Sequence, residues 1–459
     1  MSLDIIFNPG SICIIGASRD KGKVGNVILQ NVSREFKGKI YLIHPVAQEI
    51  NGIRCFRTVQ DLPESPDIAV ISLPPEKTIE SLEELGKKGC KVSIPVSGGF
   101  GEQGEKGKQL EMKIKNICEK YGMRVIGPNT VGVIVPRVGL NTALTEIDKT
   151  TFPRDGKVSF ISQSGALGLL SMDAASDNGM GFSSFISLGN EADVTENDAY
   201  DLVSKDTGTQ SIALYLEKIS DTDDFLKKSR DISRTKGIVL MKGGQSEAGN
   251  RATSLHTGSL FKSNFSLRGI FNQHGIIQAF SETQLLDYAL ALAYGKPVMG
   301  DRIAIITSAG GVGVVSSDLL ENKGFRVSKP SKNLEERLRK IISPIASPLN
   351  PIDMTAEATD DQYENLLKEI ESSGEYDSVI VFALFQTAGV TEGLIDILRS
   401  FNEKGRMPFV VGVLGGEYTK NMVRKMLSLG IPTFPSIERA TDGVWALRER
   451  GKFMRRFLK

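Results

Sequence analysis

The chain of 459 residues has few of the side chains that carry redox, metal or acid–base chemistry: three histidines, four cysteines and one tryptophan. The cysteines form no CxxC pair and no histidine cluster accompanies them, which disfavours a zinc site, and we predict no metal site. Their scatter is typical of reduced, mostly buried thiols in a cytoplasmic protein. They are Cys13, Cys55, Cys90 and Cys118.

The chain also lacks an excess of charge of either sign. Lys and Arg number 56 and Asp and Glu 55, a net charge of +1. A general nucleic-acid binder needs a basic field, so that class is disfavoured, and there is no polybasic membrane signal. No apolar run reaches the ~18 residues of a membrane span. The first residues carry Asp4 and no apolar core, so they do not read as a signal peptide.

Three common catalytic motifs are missing. No Gly-Lys pair is followed by Ser or Thr, so there is no Walker A sequence. Ser18 stands at the second glycine position of GxGxxG, and the region around Glu49 lacks a clear ribose-binding acid. This disfavours a nicotinamide-dependent oxidoreductase. Gln163 and Ala166 stand where GxSxG requires glycine, which disfavours a serine hydrolase.

Glycine, by contrast, is abundant, with 47 residues placed mainly at the ends of apolar runs. Those runs alternate with amphipathic stretches in three successive blocks. The pattern predicts an α/β fold of three consecutive doubly wound parallel-sheet domains, at residues 1–150, 151–296 and 297–459. The predicted strands are Ser11–Ile15, Lys39–Ile43, Ile68–Leu73, Lys91–Val96, Arg124–Ile126, Lys157–Ser162, Ser183–Ser187, Ser211–Leu216, Gly237–Met241, Gly275–Ala279, Arg302–Thr307, Phe325–Ser328, Ser378–Leu384, Phe409–Leu414 and Ile431–Phe434.

Three glycine-containing turns follow predicted strands and enter predicted helices, at residues 16–25, 162–168 and 307–313. Ligands of open α/β sheets bind at the carboxyl ends of the strands, and helix starts favour phosphate. Taken singly, each turn is also explained as a tight connection or N-cap without a ligand. The second and third turns open neighbouring blocks alike, and we predict that they face one phosphate from opposite sides, each with about half a positive charge.

His256 has the strongest context of the three histidines, because it lies in a long polar, glycine-bearing loop after the predicted strand Gly237–Met241. A neutral imidazole is a good phosphoryl acceptor near pH 7, and it needs a partner on its second nitrogen. Glu217, which ends an apolar run, is the predicted partner. His44 precedes a proline at a strand end and His274 follows an amphipathic helix, so their cases are weaker. Without this context, a loop histidine is most often simply solvated.

Several segments resemble those of the nucleoside-diphosphate-forming acyl-CoA synthetases. Residues 254–260 (SLHTGSL) resemble the family's phosphohistidine loop, and Ser162–Gly165 resembles the helix start that holds it. Residues 127–132 (GPNTVG) and 350–354 (NPIDM) are similar to further signatures. The resemblance covers essentially the whole chain. The domain order is similar to that of the alpha subunit of archaeal-type ADP-forming acetyl-CoA synthetases: a CoA-binding Rossmann-like domain, then two flavodoxin-like ligase domains. It is similar more distantly to succinyl-CoA synthetase.

The resemblance implies a role for each matching residue. His256 would carry the phosphoryl group, and the Glu217 carboxylate would orient the His256 imidazole. Two further sets follow. Residues implied to bind phosphate are Ser162, Gln163, Ser164, Gly165, Ala309, Gly310 and Gly311. Residues implied to bind coenzyme A are Gly16, Ala17, Ser18, Lys23, Val96, Ser97, Gly98 and Asn129. One departure is that relatives commonly carry a lysine just after the second strand, where this chain has Val46 and Ala47.

The implied activity is that of an acid–thiol ligase: acyl-CoA, ADP and phosphate interconvert with acid, CoA and ATP through an acyl phosphate and a phosphohistidine. The family binds ADP and magnesium in an ATP-grasp domain, and the three predicted blocks leave no room for one. The resemblance therefore implies a separate ATP-grasp beta subunit in a cytoplasmic α2β2 heterotetramer. The alternative is a non-catalytic CoA-binding regulatory or scaffold protein that keeps the fold.

Overall fold

The computed structural model of the protein describes residues 3–249, 251 and 267–456. They form three α/β sheets of seven, seven and five strands. The chain divides into two compact units, of which one holds the first sheet and most of the second, and the other holds the third sheet. Three mostly parallel sheets with helices between their strands confirm the predicted fold class. The exact domain boundaries stay a prediction.

The first sheet has the strand order β3-β4-β2-β1-β5-β6-β7 and is parallel except for the antiparallel pair β3–β4. Its central strands β1 and β5 are buried at every position, as expected for a sheet covered on both faces. The strands are β1 Ser11–Ile15, β2 Lys39–Ile43, β3 Glu49–Ile50, β4 Ile53–Phe56, β5 Ile68–Ile71, β6 Val92–Pro95 and β7 Arg124–Val125. The helices are Val24–Glu35, Pro75–Lys88 and Glu105–Tyr121.

The second sheet has the order β14-β13-β12-β10-β11-β8-β9. Strands β10, β11 and β12 are parallel, whereas β8 runs antiparallel to β11 and β9 antiparallel to β8. The strands are β8 Val133–Val135, β9 Leu140–Asn141, β10 Asp155–Ser162, β11 Phe182–Ser187, β12 Ser211–Leu216, β13 Gly237–Lys242 and β14 Ile276–Ala279. The helices are Gly165–Asp177, Glu196–Lys205, Thr222–Ile232, Leu267–Gln273 and Glu282–Tyr294.

The third sheet is parallel throughout, with the order β16-β15-β17-β18-β19. The strands are β15 Ile303–Thr307, β16 Ile352–Asp353, β17 Ser378–Phe382, β18 Phe409–Gly412 and β19 Thr433–Phe434. The helices are Gly310–Asn322, Lys332–Arg339, Asp360–Ser373, Gly393–Lys404, Glu417–Ser428 and Ile437–Met454.

One predicted strand, Phe325–Ser328, is wrong. Only Arg326 in this segment makes a sheet-like bridge, to Arg302. The carbonyl of Ser328 accepts hydrogen bonds from the side chains of Asn350 (3.1 Å) and Tyr376 (3.0 Å) instead of from a strand. The place beside β15 is taken by the short strand β16, which the sequence did not indicate because two residues carry no periodicity.

Cys13, Cys90 and Cys118 are buried and Cys55 is half-buried, and all four are free thiols, as predicted. Burial is the main cause that raises the pKa of the Cys90 thiol, to about 12. Among the helices that the structure describes, none is long and apolar enough to cross a bilayer.

Candidate functional site

The first turn follows β1 and is shaped by a glycine that no other residue can replace without strain. Gly16 has φ +90°, and a Cβ there would collide with the backbone carbonyl of Ser72. Ala17 is buried and the Ser18 hydroxyl accepts a hydrogen bond from the N–H of Asp20 (3.1 Å). Lys23 precedes the helix and pairs with the Asp20 carboxylate at 2.5 Å; this contact lowers the pKa of Asp20. The turn therefore leads a strand end directly into a helix start.

The other residues implied to bind coenzyme A also lie at the carboxyl edge of the first sheet. Val96, which is buried, directly follows β6. The carbonyl of Ser97 accepts a hydrogen bond from the N–H of Asn129 (3.1 Å), and a Cβ on Gly98 would lie 3.2 Å from the Asn129 Oδ1. Asn129 has φ +59° and donates to the Asn190 side chain (3.1 Å). The structure thus brings Ser97, Gly98 and Asn129 together.

The departure after the second strand has a structural counterpart. The Nδ1 of His44 accepts hydrogen bonds from the backbone N–H groups of Val46 (3.2 Å) and Ala47 (2.9 Å). Val46 is 82% exposed. His44 therefore shapes this turn, and an apolar side chain faces solvent where the resemblance leads us to expect a lysine.

The second turn, Ser162–Gly165, joins β10 to the helix Gly165–Asp177. The Ser162 hydroxyl donates to the carbonyl of Ser164 (2.7 Å), and the Ser164 hydroxyl accepts from the N–H of Leu167 (3.4 Å). A Cβ on Gly165 would lie 2.7 Å from a methyl group of Val131. The first N–H groups of a helix have no acceptor within the helix, so this turn can bind an anion.

Gln163 lies at the centre of a buried hydrogen-bond network rather than in the open part of the turn. Its side-chain oxygen accepts from the N–H groups of Glu217 (2.5 Å) and Lys218 (2.9 Å). Its side-chain nitrogen donates to Glu191 (3.0 Å) and to the carbonyl of Lys218 (3.1 Å). Its own N–H donates to the carbonyl of Tyr215 (3.0 Å). With its side-chain amide and its N–H engaged, Gln163 ties β10 to the end of β12.

Glu191 and Lys218 complete this network with an ion pair of 2.7 Å. Glu191 is a non-glycine residue with φ +59°, and burial raises the pKa of its carboxyl group. Nothing in the local sequence around Glu191 indicates this position. Its partners come from β10 and from the end of β12, so only the folded sheet brings them together.

Glu217 lies at the base of the loop that leads to His256. Its carboxylate accepts a hydrogen bond from the Tyr215 hydroxyl (3.2 Å), and it is buried. A Cβ on Gly243, the residue after β13, would lie 3.3 Å from the Glu217 side chain and 2.9 Å from the Tyr215 hydroxyl. The start of the loop therefore packs on the Glu217 side chain and beside the Tyr215 hydroxyl. Burial raises the pKa of Tyr215 to about 12.

Lys242 is a buried cation that the sequence did not single out. Its ammonium group donates to the carbonyls of Glu217 (2.6 Å) and Gly243 (2.7 Å). Burial lowers the pKa of Lys242 to about 8, against the opposing field of Glu217. It thus binds the end of β12 to the start of the loop. A lysine that directly follows the apolar residues 238–241 was the signal available in the sequence.

His256, the predicted phosphoryl carrier, lies outside the described residues. His274 makes a 2.8 Å contact from its Nδ1 to the carbonyl of Ile270, one turn earlier in the chain. This contact agrees with the structural role expected for it.

The third turn makes different contacts from the second, although both have a similar sequence that follows a strand and begins a helix. The Thr307 hydroxyl accepts from the N–H of Ala309 (3.0 Å) and donates to the Ala309 carbonyl (3.1 Å). A Cβ on Gly310 would lie 2.8 Å from a carboxylate oxygen of Asp353, whereas a Cβ on Gly311 would meet nothing within 4 Å. Gly310 and Gly311 are exposed. An acid of the chain itself thus already lies at this helix start.

A cavity of about 350 Å³ lies between the helices that begin at the first and second turns. Val24 and Val27 line it from one helix, and Leu169 and Leu170 from the other. Leu170 is 67% exposed. Polar and charged residues complete its lining, among them Glu146, Lys149 and Asp173.

Comparison with known proteins gives these sites a context. A CoA binding domain model matches residues 10–136, a succinyl-CoA ligase-like flavodoxin domain model matches 155–292, and a ligase-CoA domain model matches 303–389. Together they match most of the chain. The fold and these models define a protein built from a CoA-binding domain, a succinyl-CoA ligase-like flavodoxin domain and a ligase-CoA domain.

Relatives make the assignment more specific. The chain is 35% identical to the ADP-forming acetate–CoA ligase I subunit alpha of Pyrococcus furiosus, over 99% of this chain and 98% of the relative. It is 34% identical to the ADP-forming acetate–CoA ligase of Methanocaldococcus jannaschii, over 98% of this chain but 63% of that longer relative. The protein belongs to the family of ADP-forming acetate–CoA ligase alpha subunits.

A solved structure agrees with this assignment. The acetyl-coenzyme A synthetase 1 of Ca. Korarchaeum cryptofilum, in complex with phosphate and ADP, has a TM-score of 0.88 and 35% identity. The match covers 100% of this chain and 99% of that chain.

Proposed function

We propose that the protein is the alpha subunit of an ADP-forming acyl-CoA ligase and interconverts acyl-CoA, ADP and phosphate with acid, CoA and ATP. The observation that carries the proposal is one juxtaposition at the carboxyl edge of the second sheet. There Gln163, in the Ser162–Gly165 helix start, accepts a hydrogen bond from the backbone N–H of Glu217, and Gly243, at the start of the His256 loop, packs on the Glu217 side chain. The full-length similarity to alpha subunits supports it.

In the proposed reaction, phosphate attacks the carbonyl carbon of the acyl thioester and CoA leaves as the thiolate. The acyl phosphate then transfers its phosphoryl group to a nitrogen of His256, and the carboxylate of the acid leaves. Glu217 would hold the second imidazole nitrogen, which fixes the tautomer. The N–H groups of the second turn would stabilise the phosphoryl oxygens, so catalysis would rest on positioning and charge stabilisation.

Coenzyme A would bind at the carboxyl edge of the first sheet. Gly16, Ala17, Ser18 and Lys23 would hold its phosphates at the helix start. Val96, Ser97, Gly98 and Asn129 would line the cleft beside them. The shared position of these residues at one sheet edge supports the assignment. The third turn, residues 309–311, would supply the second of the paired helix starts for the phosphoryl group, as the family resemblance implies, and this role stays a prediction.

The nucleotide site would lie on a partner. The M. jannaschii relative is longer than this chain, whereas the P. furiosus relative is a separate subunit alpha of matching length. We therefore propose an ATP-grasp beta subunit that holds ADP and Mg²⁺, in an α2β2 complex. Co-expression with a candidate beta subunit, followed by light scattering, tests the mass of the complex.

The phosphohistidine is tested by incubating the chain with acetyl-CoA and radiolabelled phosphate. We expect a base-stable, acid-labile label on the wild-type chain and none on His256→Ala. His274→Gln is the matched control, since it removes the other imidazole of this region, and it should label as wild type does.

Label retained in His256→Ala, or an acid-stable label, would overturn the carrier assignment. If the wild-type chain binds CoA but never acquires a label, even with a beta subunit present, the non-catalytic CoA-binding protein becomes the better description.

A further inference from the structure

The third sheet has a polar cavity of about 580 Å³ at the end opposite the Thr307 turn. Its wall includes Asp301, two residues before β15, and Asp377, which immediately precedes β17. Because these strands are parallel, both carboxylates lie at the amino edge of the sheet, whereas the turn that follows Thr307 lies at the carboxyl edge. The volume is within the range of about 300–1,000 Å³ that is typical of small-molecule sites.

Positive side chains outnumber negative ones on this wall. Four cations line it, namely Arg326, Arg448, Lys452 and Arg455, together with the two aspartates. Asp301 pairs with Arg326 at 2.7 Å.

The second aspartate is neutralised from outside the wall, because Asp377 pairs with Arg302 at 2.7 Å. The cavity therefore keeps an excess of positive charge after its own ion pairs are formed.

Arg448 is the deepest of these cations, with 5% of its surface exposed. Its guanidinium lies 4.2 Å from the centre of the Phe325 ring and donates to the carbonyl of Lys323. Its Nε has no hydrogen-bond partner among the described residues. The nearest carboxylate, Glu449, is 3.8 Å away and already pairs with Lys452 at 2.7 Å.

The Nε is closed to solvent, so an oxyanion in the cavity would meet the guanidinium at its terminal nitrogens, with strong, charge-assisted hydrogen bonds. Gly324, which has φ +81° and no side chain, lies in the same wall. A Cβ there would lie 3.5 Å from an Arg448 nitrogen.

We propose that this cavity binds a phosphate dianion, either free or as the end group of a small phosphorylated metabolite, through Arg448, Lys452 and Arg455. The site is separate from the CoA and phosphoryl sites of the proposed function and does not depend on them. It would make the third sheet an effector-binding element of the ligase.

The test is isothermal calorimetry on the full chain with two probes, inorganic phosphate and adenosine 5′-monophosphate, which distinguish the free anion from the ester. We expect Arg448→Met to weaken the binding of at least one probe about tenfold or more, the loss of one charge-assisted contact. Arg455→Gln should weaken it several-fold. Arg399→Gln, an exposed arginine paired with Glu403 in the same unit, is the matched control and should bind as wild type does.

Hydrogen–deuterium exchange should show that the probe protects residues 299–301 and 448–455. Unchanged affinity in both cavity variants, or protection confined to other segments, would overturn the proposal. Arg455→Gln decides the matter if Arg448→Met fails to fold, because Arg455 is exposed.

Discussion

The second and third turns start from nearly the same sequence pattern and have different surroundings. At the second turn, Gln163 engages five neighbouring groups and a buried ion pair closes the network. At the third turn, Gly310 and Gly311 are exposed, and the nearest charged group is Asp353. The comparison teaches that a strand, a Ser/Gly turn and a helix start make a possible anion site, and that the residues packed behind the turn decide how rigid it is.

The largest expected effect is at Gln163. Gln163→Leu would leave the N–H groups of Glu217 and Lys218 without their acceptor, and each buried unsatisfied group costs about 1–3 kcal/mol. We expect local stability at the end of β12 to fall by about 2–4 kcal/mol. Hydrogen exchange of residues 211–218 measures it.

Gln386→Leu is the matched control, since Gln386 is exposed in the third sheet's unit and its side chain donates to Leu414 (2.8 Å). It should change exchange in its own segment by less than about 1 kcal/mol. Equal effects in the two variants would mean that the second turn is not specially supported.

The next largest expected effect is a pH dependence of the folding stability that arises from Lys242. Burial lowers its pKa to about 8 in the folded chain, below the ordinary lysine value of 10.5, so the unfolded chain binds more protons between these pH values. Stability therefore rises with pH from about 8 to 10.5 in the wild type. After a discount for solvent screening, we expect about 1–2 kcal/mol of this rise to be absent in Lys242→Met.

Urea unfolding at a series of pH values, monitored by hydrogen exchange in β12, measures the difference in the free energy of unfolding between the wild type and Lys242→Met. Lys227→Met, at an exposed position on the helix Thr222–Ile232, is the control. A wild-type advantage that stays constant across this window would contradict the burial of Lys242 as its cause.

Substitution of one glycine in each turn should change the stability of the following helix in opposite directions. Gly165→Ala forces a methyl group against Val131 and should destabilise the helix Gly165–Asp177 by about 1–2 kcal/mol. Gly311→Ala enters open space and should stabilise the helix Gly310–Asn322 by up to about 0.5 kcal/mol, through higher helix propensity. Hydrogen exchange in the two helices tests both predictions. If the two substitutions changed helix stability in the same direction, the contrast between the turns would be contradicted.

The smallest effect is at Asp353. Asp353→Asn keeps the shape and the hydrogen bond from the N–H of Thr355 (2.9 Å) but removes a negative charge beside a helix start. We expect the free energy of unfolding to fall by about 0.3–1 kcal/mol, and this loss to become smaller in high salt. Asp318→Asn, at an exposed position in the middle of the same helix, is the control, and thermal unfolding that did not distinguish the two variants would exclude an effect of the helix dipole.

Much of the fold could be predicted because the strands are short buried apolar runs. Strands β1, β2 and β12 have the predicted bounds, and most others differ by one or two residues at an end. The failure at Phe325–Ser328 has a different origin. The backbone of that segment bonds to Asn350 and Tyr376, which are remote in sequence, and no local pattern reports such partners.

Residues of the candidate site could be predicted where their residue type is unusual for its place in the local sequence pattern. Gly16 could be singled out because a glycine turn leads from a strand into a helix, and Glu217 because an acid rarely ends a buried strand; the roles of both stay predictions. Glu191 and Lys218 were missed, and Gln163 was assigned to phosphate although its polar groups bind protein. Their roles arise from contacts between strand ends that lie 28 to 55 positions apart.

The sequence by itself determined the α/β class, the three sheets and the family resemblance, because periodicity and turn glycines act through neighbours in the chain. The tertiary structure alone decided which helix start is held rigid, where Lys242 is buried and where cations gather around Arg448. Those properties depend on the dielectric surroundings and hydrogen-bond partners of each group, which come from distant parts of the chain and exist only once the sheets have formed.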